Sequence, residues 1–148
     1  MSERKQNKKV DKRAPVIVGV GDLVDRSKED GLNPQELLAK ACEHAIQDSG
    51  IKELNKHIDY VGVVRFTVDF LTATNQSNFQ YSNFPRTLAN KLDVSAKNEV
   101  YAPMGGNSPQ VLLEDALVKI SNGETDCALL SGGEALQTMI AKLKAGMS

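Results

Sequence analysis

The stretch of residues 99–134, EVYAPMGGNSPQVLLEDALVKISNGETDCALLSGGE, constrains the fold more than any other part of the chain. It reads as strand, glycine turn, helix, turn, strand. Residues 99–102 form a short extended run, and Met104-Gly105-Gly106-Asn107 is a turn. Pro109 suits an opening helical position, because the N–H it lacks would find no partner there. Asn107 or Ser108 is placed to cap the exposed amides ahead of it. Val111, Leu112, Ala116, Leu117 and Ile120 then recur at helical spacing, and Asn122-Gly123 ends the run. Ala128-Leu129-Leu130 is apolar enough for a buried strand, and it leads into Ser131-Gly132-Gly133. A small-residue turn aimed at a helix N-terminus presents free N–H groups, which favour an anion or an oxyanion.

The rest of the chain repeats this alternation. Residues 15–20 (PVIVGV) are a β-branched run of the kind found in strands buried on both faces. The turn after it does not carry a dinucleotide fingerprint, because Val24 stands where the third glycine is required. Residues 25–32 are charged and irregular and open no helix. Asn33-Pro34-Gln35-Glu36 predicts a helix start with a capping box. Leu37, Leu38, Ala41, Cys42, Ala45 and Ile46 supply that helix with one apolar face. Residues 58–66 (IDYVGVVRF) predict a second buried strand, and residues 84–92 a short helix with Pro85 near its start. Residues 98–102 suit a sheet edge, residues 127–131 a further strand, and residues 134–143 a last helix. Residues 67–83 form a long polar segment with three aromatic residues, and no role is assigned to it.

This order predicts an α/β fold with a mainly parallel sheet and helices on both faces. Ligands of such sheets gather at the carboxyl ends of the strands. Here those ends are Gly21-Asp22, Arg65-Phe66-Thr67, residues 103–108 and residues 131–134.

Composition narrows the classes of function. The 148 residues fit one ordinary domain, with residues 1–13 a basic tail and 14–148 the folded part. The tail holds six basic residues against Glu3 and Asp11 and has no aromatic interleaving for stacking on bases. It reads as a solvated arm, and with a formal net charge of −1 no nucleic-acid partner is expected. No apolar run is long enough to cross a bilayer, and a reducing, cytoplasmic setting is the default reading. No CxxC or HxxxH pair occurs, so no metal site is expected. Cys42 reads as a small core residue, and His44 falls off its helix's apolar face. Gly106-Asn107-Ser108-Pro109-Gln110 misses the nucleophile-elbow pattern at its last position. Both histidines, His44 and His57, precede Ser108, so the hydrolase triad order is impossible within these residues. Ser108 reads as a helix-cap hydroxyl. Glu134 reads either as a functional carboxylate or as an acid serving a helix dipole.

Several pieces together resemble the N-terminal part of the thiolase superfamily, in the acetyl-CoA acetyltransferase-like branch related to sterol-carrier-protein thiolases. They are VGVGD, PQELLAKACEHAIQDSGI followed by IDYVGVV, FPRTLANKL, YAPMGGNSPQ and ISNGETDCALLSGGEA. The resemblance implies a thiolase-like sheet, acyl-CoA thioester substrates with no other cofactor, and usually a homodimer or a thiolase-like partner chain. In that family the third core helix carries a nucleophilic cysteine at its N-terminus, where dipole and amides lower its pKa. Counting back along that helix from Gly123 lands on Gly106, so the nucleophile's position is glycine here. The family draws its histidine and second cysteine from a C-terminal half. The resemblance therefore implies a fragment of an acyltransferase, inactive alone and with no catalytic residue of its own. Gly105, Gly106, Asn107 and Ser108 are its expected substrate contacts. The alternatives are a non-catalytic acyl-CoA or lipid-binding relative, or an assembly subunit docking through the edge strand at residues 98–102.

Overall fold

The computed structural model describes residues 11–27, 31–67 and 83–144. Its elements are α1 (Pro34–Asp48), a 3-10 turn (Leu54–Lys56), β1 (Tyr60–Val64), α2 (Phe84–Lys91), β2 (Asn98–Ala102), α3 (Ser108–Asn122), β3 (Ala128–Ser131) and α4 (Leu136–Lys144). The long segment after Thr67 lies outside the described residues from 68 to 82, as does the tail up to residue 10.

Three strands form a parallel sheet in the order β2-β1-β3, with Tyr60 opposite both Asn98 and Ala128. β1 is central, and the two-residue period of a strand sends its side chains to opposite faces. Val61 and Val63 are fully buried in one core with Leu38 and Cys42 of α1 and Phe84 and Leu88 of α2. The other face meets α3. There the Tyr60 hydroxyl donates to Asp115 Oδ2 at 2.7 Å, and a Cβ on Gly62 would stand 3.2 Å from Leu112. Burial first, and then the Asp115 carboxylate, push the Tyr60 phenol pKa well up. Helices therefore cover both faces, as the alternation predicts.

The local signals explain the element ends. Asn33 Oδ1 accepts from the Glu36 amide at 2.9 Å, and Glu36 Oε2 accepts from the Asn33 amide at 3.1 Å, closing the capping box. Asn83 Oδ1 accepts from the Arg86 amide and starts α2. α3 stops at Gly123, whose φ of 76° is the left-handed conformation glycine adopts most cheaply. Asp59 closes the amino edge of the sheet: its carboxylate accepts from the amides of Asp126 and Cys127, tying the start of β1 to the start of β3.

One prediction fails. Residues 15–20 join no strand ladder, and Val16, Ile17 and Val20 are 75%, 77% and 67% exposed. Their polar contacts run to α1 instead. The Val20 amide donates to Asp48 Oδ2 at 2.9 Å, and His44 Nδ1 lies 3.0 Å from the Asp22 carbonyl oxygen. Gly19 and Gly21 lie so close to the backbone of α1 that a Cβ on either would run into the Ala45 or Ala41 carbonyl oxygen. A β-branched run gives strand propensity, but a strand also needs a free partner edge within reach.

Candidate functional site

The carboxyl ends of β1 and β3 and the start of α3 surround a cavity of about 400 Å³. Its wall is apolar where Val64, Pro109, Leu112 and Leu130 meet, and Arg65 and Glu134 supply the charges. Neighbouring parallel strands deliver these groups to one place, because each chain leaves the sheet at the same edge. The chain leaving β3 crosses tightly packed side chains, which explains the glycine pair. A Cβ on Gly132 would stand 3.0 Å from Val64 Cβ, and one on Gly133 2.9 Å from Leu38 Cδ1.

Two side chains are held in place at this cavity. The Arg65 guanidinium stacks over the Tyr101 ring at 4.6 Å, a cation–π contact that orients its planar group. Glu134 Oε1 accepts from the Thr67 amide at 2.7 Å, joining the chain past β1 to the chain past β3. α4 begins only at Leu136, and no acidic residue occupies its first turn. Glu134 is thus a cross-strand tie and does not serve the dipole from within the helix. Neither contact is written in local sequence, since each joins residues far apart in the chain. The sequence signal is that Arg65 and Glu134 both fall at predicted carboxyl ends of strands.

The four expected contact residues form the turn ahead of the cavity. Gly105, Gly106 and Asn107 are exposed, and a Cβ added at Gly106 would meet nothing within 4 Å. Pro109 is the residue that enters the cavity wall, and the four before it are not among its lining. The capping expectation is corrected here. Asn107 has right-handed helical φ and ψ, not the extended backbone of a side-chain cap, and its side chain caps nothing. Ser108 is buried, and its Oγ donates to the Pro103 carbonyl oxygen at 2.6 Å. That bond closes the turn from within, so the hydroxyl is neither a cap nor an available nucleophile. The Ser108 amide is also engaged, by the Gly105 carbonyl oxygen at 3.0 Å.

Neither cysteine stands near this turn. Cys42 is buried in α1 and Cys127 precedes β3, at the opposite edge of the sheet from the start of α3. Burial pushes both thiols above their ordinary pKa, which makes them poor nucleophiles at neutral pH. Of the other predicted strand ends, Gly21-Asp22 lies against α1 and does not line the cavity. Among the described residues no group of three His, Cys, Asp or Glu could hold a metal ion. Among the same residues no helix is long and apolar enough to cross a membrane.

A second, wider groove of about 1100 Å³ runs beside β3. Residues 12–21 form one bank, and residues 125–132 with Cys42, Leu113 and Leu117 are on the other sides.

No family model and no curated protein matches the sequence. Among solved structures the chain is similar to the crystal structure of a monomeric SCP2-thiolase-like protein type 1 from Mycobacterium smegmatis. The two share 31% sequence identity with a TM-score of 0.69. The match covers 84% of this chain and 24% of that protein, so this chain spans about a quarter of its length.

Proposed function

From the premise that this chain is thiolase-like, of the branch related to sterol-carrier-protein thiolases, we propose that it handles acyl-coenzyme A thioesters at the start of α3. The observation that carries this reading is the open turn leading into α3 at the carboxyl edge. Gly106 stands there with free space around it, and Pro109 leads directly into the charged, apolar-walled cavity. A helix N-terminus favours partial negative charge, so the turn suits a thioester carbonyl oxygen that is being polarised. Gly105, Gly106, Asn107 and Ser108 shape that turn, with Ser108 acting through the bond that closes it.

The same geometry argues for binding without covalent catalysis by these residues. Gly106 takes the position of the family's cysteine and offers no nucleophile. Ser108 is committed to Pro103, and both thiols are elsewhere. Acyl transfer in the manner of the family would draw its nucleophile and acid–base groups from outside the residues present here. A non-catalytic acyl-CoA-binding role is the second reading, favoured by the same glycine. A homodimer or a thiolase-like partner is a further proposal; β2, paired on one side only among the described residues, is the edge such a partner would use.

Calorimetric titration with acetyl-CoA and with free coenzyme A tests the proposal. Saturable binding of acetyl-CoA is expected, weakened at least tenfold by Gly106→Trp, which fills the open turn. Absence of saturable binding by the parent chain would sink the thioester reading. Turnover of acetyl-CoA separates an acyltransferase from a binding protein. Gly106→Cys should fold as the parent does and gain an acyl adduct seen by mass spectrometry, because the site has room for the thiol.

A further inference from the structure

Resting on the thioester reading above, we propose that Arg65 selects the ligand. Its guanidinium holds an oxyanion of the thioester molecule, either a carboxylate at the far end of the acyl chain or a phosphate of the coenzyme. Two neighbouring strands set its place. Arg65 is the first residue past β1 and lines the cavity beside Val64. Its guanidinium carbon stands 4.6 Å from the centre of the Tyr101 ring, and Tyr101 is the last residue but one of β2. The group thus leans from the cavity toward the strand that runs into the exposed turn at Gly105 and Gly106. A ligand reaching from that turn into the cavity passes alongside it.

The charge of Arg65 is uncommitted. Among the described residues the ion pairs use Lys56, Arg86, Lys97 and Lys119, and no carboxylate lies within 4.0 Å of Arg65. Glu134, the acid of the same cavity, is engaged by the Thr67 amide instead. A surface arginine without a carboxylate is ordinary, but this one is laid on an aromatic ring. That contact occupies the face of the planar group and leaves its N–H edge for a partner. Parallel N–H donors match two oxygens of a carboxylate or a phosphate, which a lysine ammonium cannot do. Stacking also restricts the side chain before the ligand arrives, so less freedom is lost on binding.

Four thioesters test the selection: pentanoyl and glutaryl groups, matched in length, each carried on coenzyme A and on pantetheine, which lacks the phosphates. Calorimetric titration compares the parent chain with Arg65→Gln. If the oxyanion is the acyl carboxylate, the variant loses at least about fivefold more affinity for the glutaryl thioesters than for the pentanoyl pair. If it is a phosphate, the same excess loss falls on the coenzyme A thioesters over the pantetheine pair. Arg65→Lys should recover only part of that loss, since it restores the charge without the fork. Equal losses for all four thioesters, or no loss for any, would overturn the proposal. A parent chain that binds none of the four fails the thioester reading itself, and the selection with it. Parent binding that is indifferent to Arg65 removes the selection alone. Arg65 is exposed, so both variants should fold, and thermal unfolding checks that they do.

Discussion

Two runs of nearly the same composition have opposite fates in this molecule. Residues 16–20 read VIVGV and β1 reads YVGVV, yet Ile17 is 77% exposed while Val61 has no exposed surface. Intrinsic preference does not separate them. β1 has a strand on each side and a helix layer on each face, so each of its backbone and side-chain groups has somewhere to go. The run at residues 16–20 has its glycine wedged against α1 and its β-branched side chains in water. Strand propensity is thus a permission that neighbours convert into structure.

The sharpest way to break this comparison is to put one charge into each run. Val61→Asp buries an unpaired carboxylate in the main core and should cost about 4 kcal/mol or more. Ile17→Asp leaves its carboxylate in solvent and should cost no more than about 0.5 kcal/mol. Chemical denaturation of both variants measures the difference. Similar losses would mean that residues 16–20 are as deeply integrated as β1.

A smaller effect is expected where Gly19 and Gly21 touch α1. Gly21→Ala drives a methyl into the backbone of α1 at Ala41 and Ala45, where no side chain can yield. A loss of about 2 kcal/mol is expected in the same denaturation experiment, in the range of overpacked sites. No change would show that Gly21 does not rest against the backbone of α1.

The smallest effects concern pH, and they set the two regions at opposite ends of the scale. Near the core, Cys42 and Tyr60 have raised pKa values, each mainly through burial. Above the ordinary thiol value of 9.0 the unfolded chain releases protons that the folded chain still holds. Stability is therefore full below that pH and falls as pH rises past it. Beyond residues 15–20, Asp25 is pulled from 3.8 to about 2, chiefly by the Ser27 side chain and then by the Leu32 amide. That contribution is present above 3.8 and is lost as pH falls toward 2. Amide exchange followed against pH should show the Asp25 loop opening in acid and β1 weakening in alkali. The reverse order would contradict both assignments.

Much of the fold was legible along the chain because its signals are local. The capping box at Asn33 and Glu36, Pro85 and Pro109 in opening helical turns, and Gly123 at a helix end all act within a few residues. The edge character of residues 98–102 and the buried thiol of Cys42 followed from the same patterns. The glycine turn ahead of α3 was likewise marked by adjacent small residues, Gly105 and Gly106, before Pro109.

Tertiary structure decided the remainder, since it depends on which distant groups meet. The Ser108 hydroxyl turned inward to Pro103 because the turn folds back on its own strand end. Arg65 met Tyr101 across neighbouring strands, and Glu134 reached Thr67 across the gap between β1 and β3. Whether a β-branched run becomes a strand depended on where α1 came to rest against Gly19 and Gly21. Sequence by itself determined the elements and their ends, through hydrogen bonds and torsions that span a turn or less. Only the packed chain determined which run joined the sheet among the described residues and which charged groups met at the cavity, because those contacts join residues with no local signal linking them.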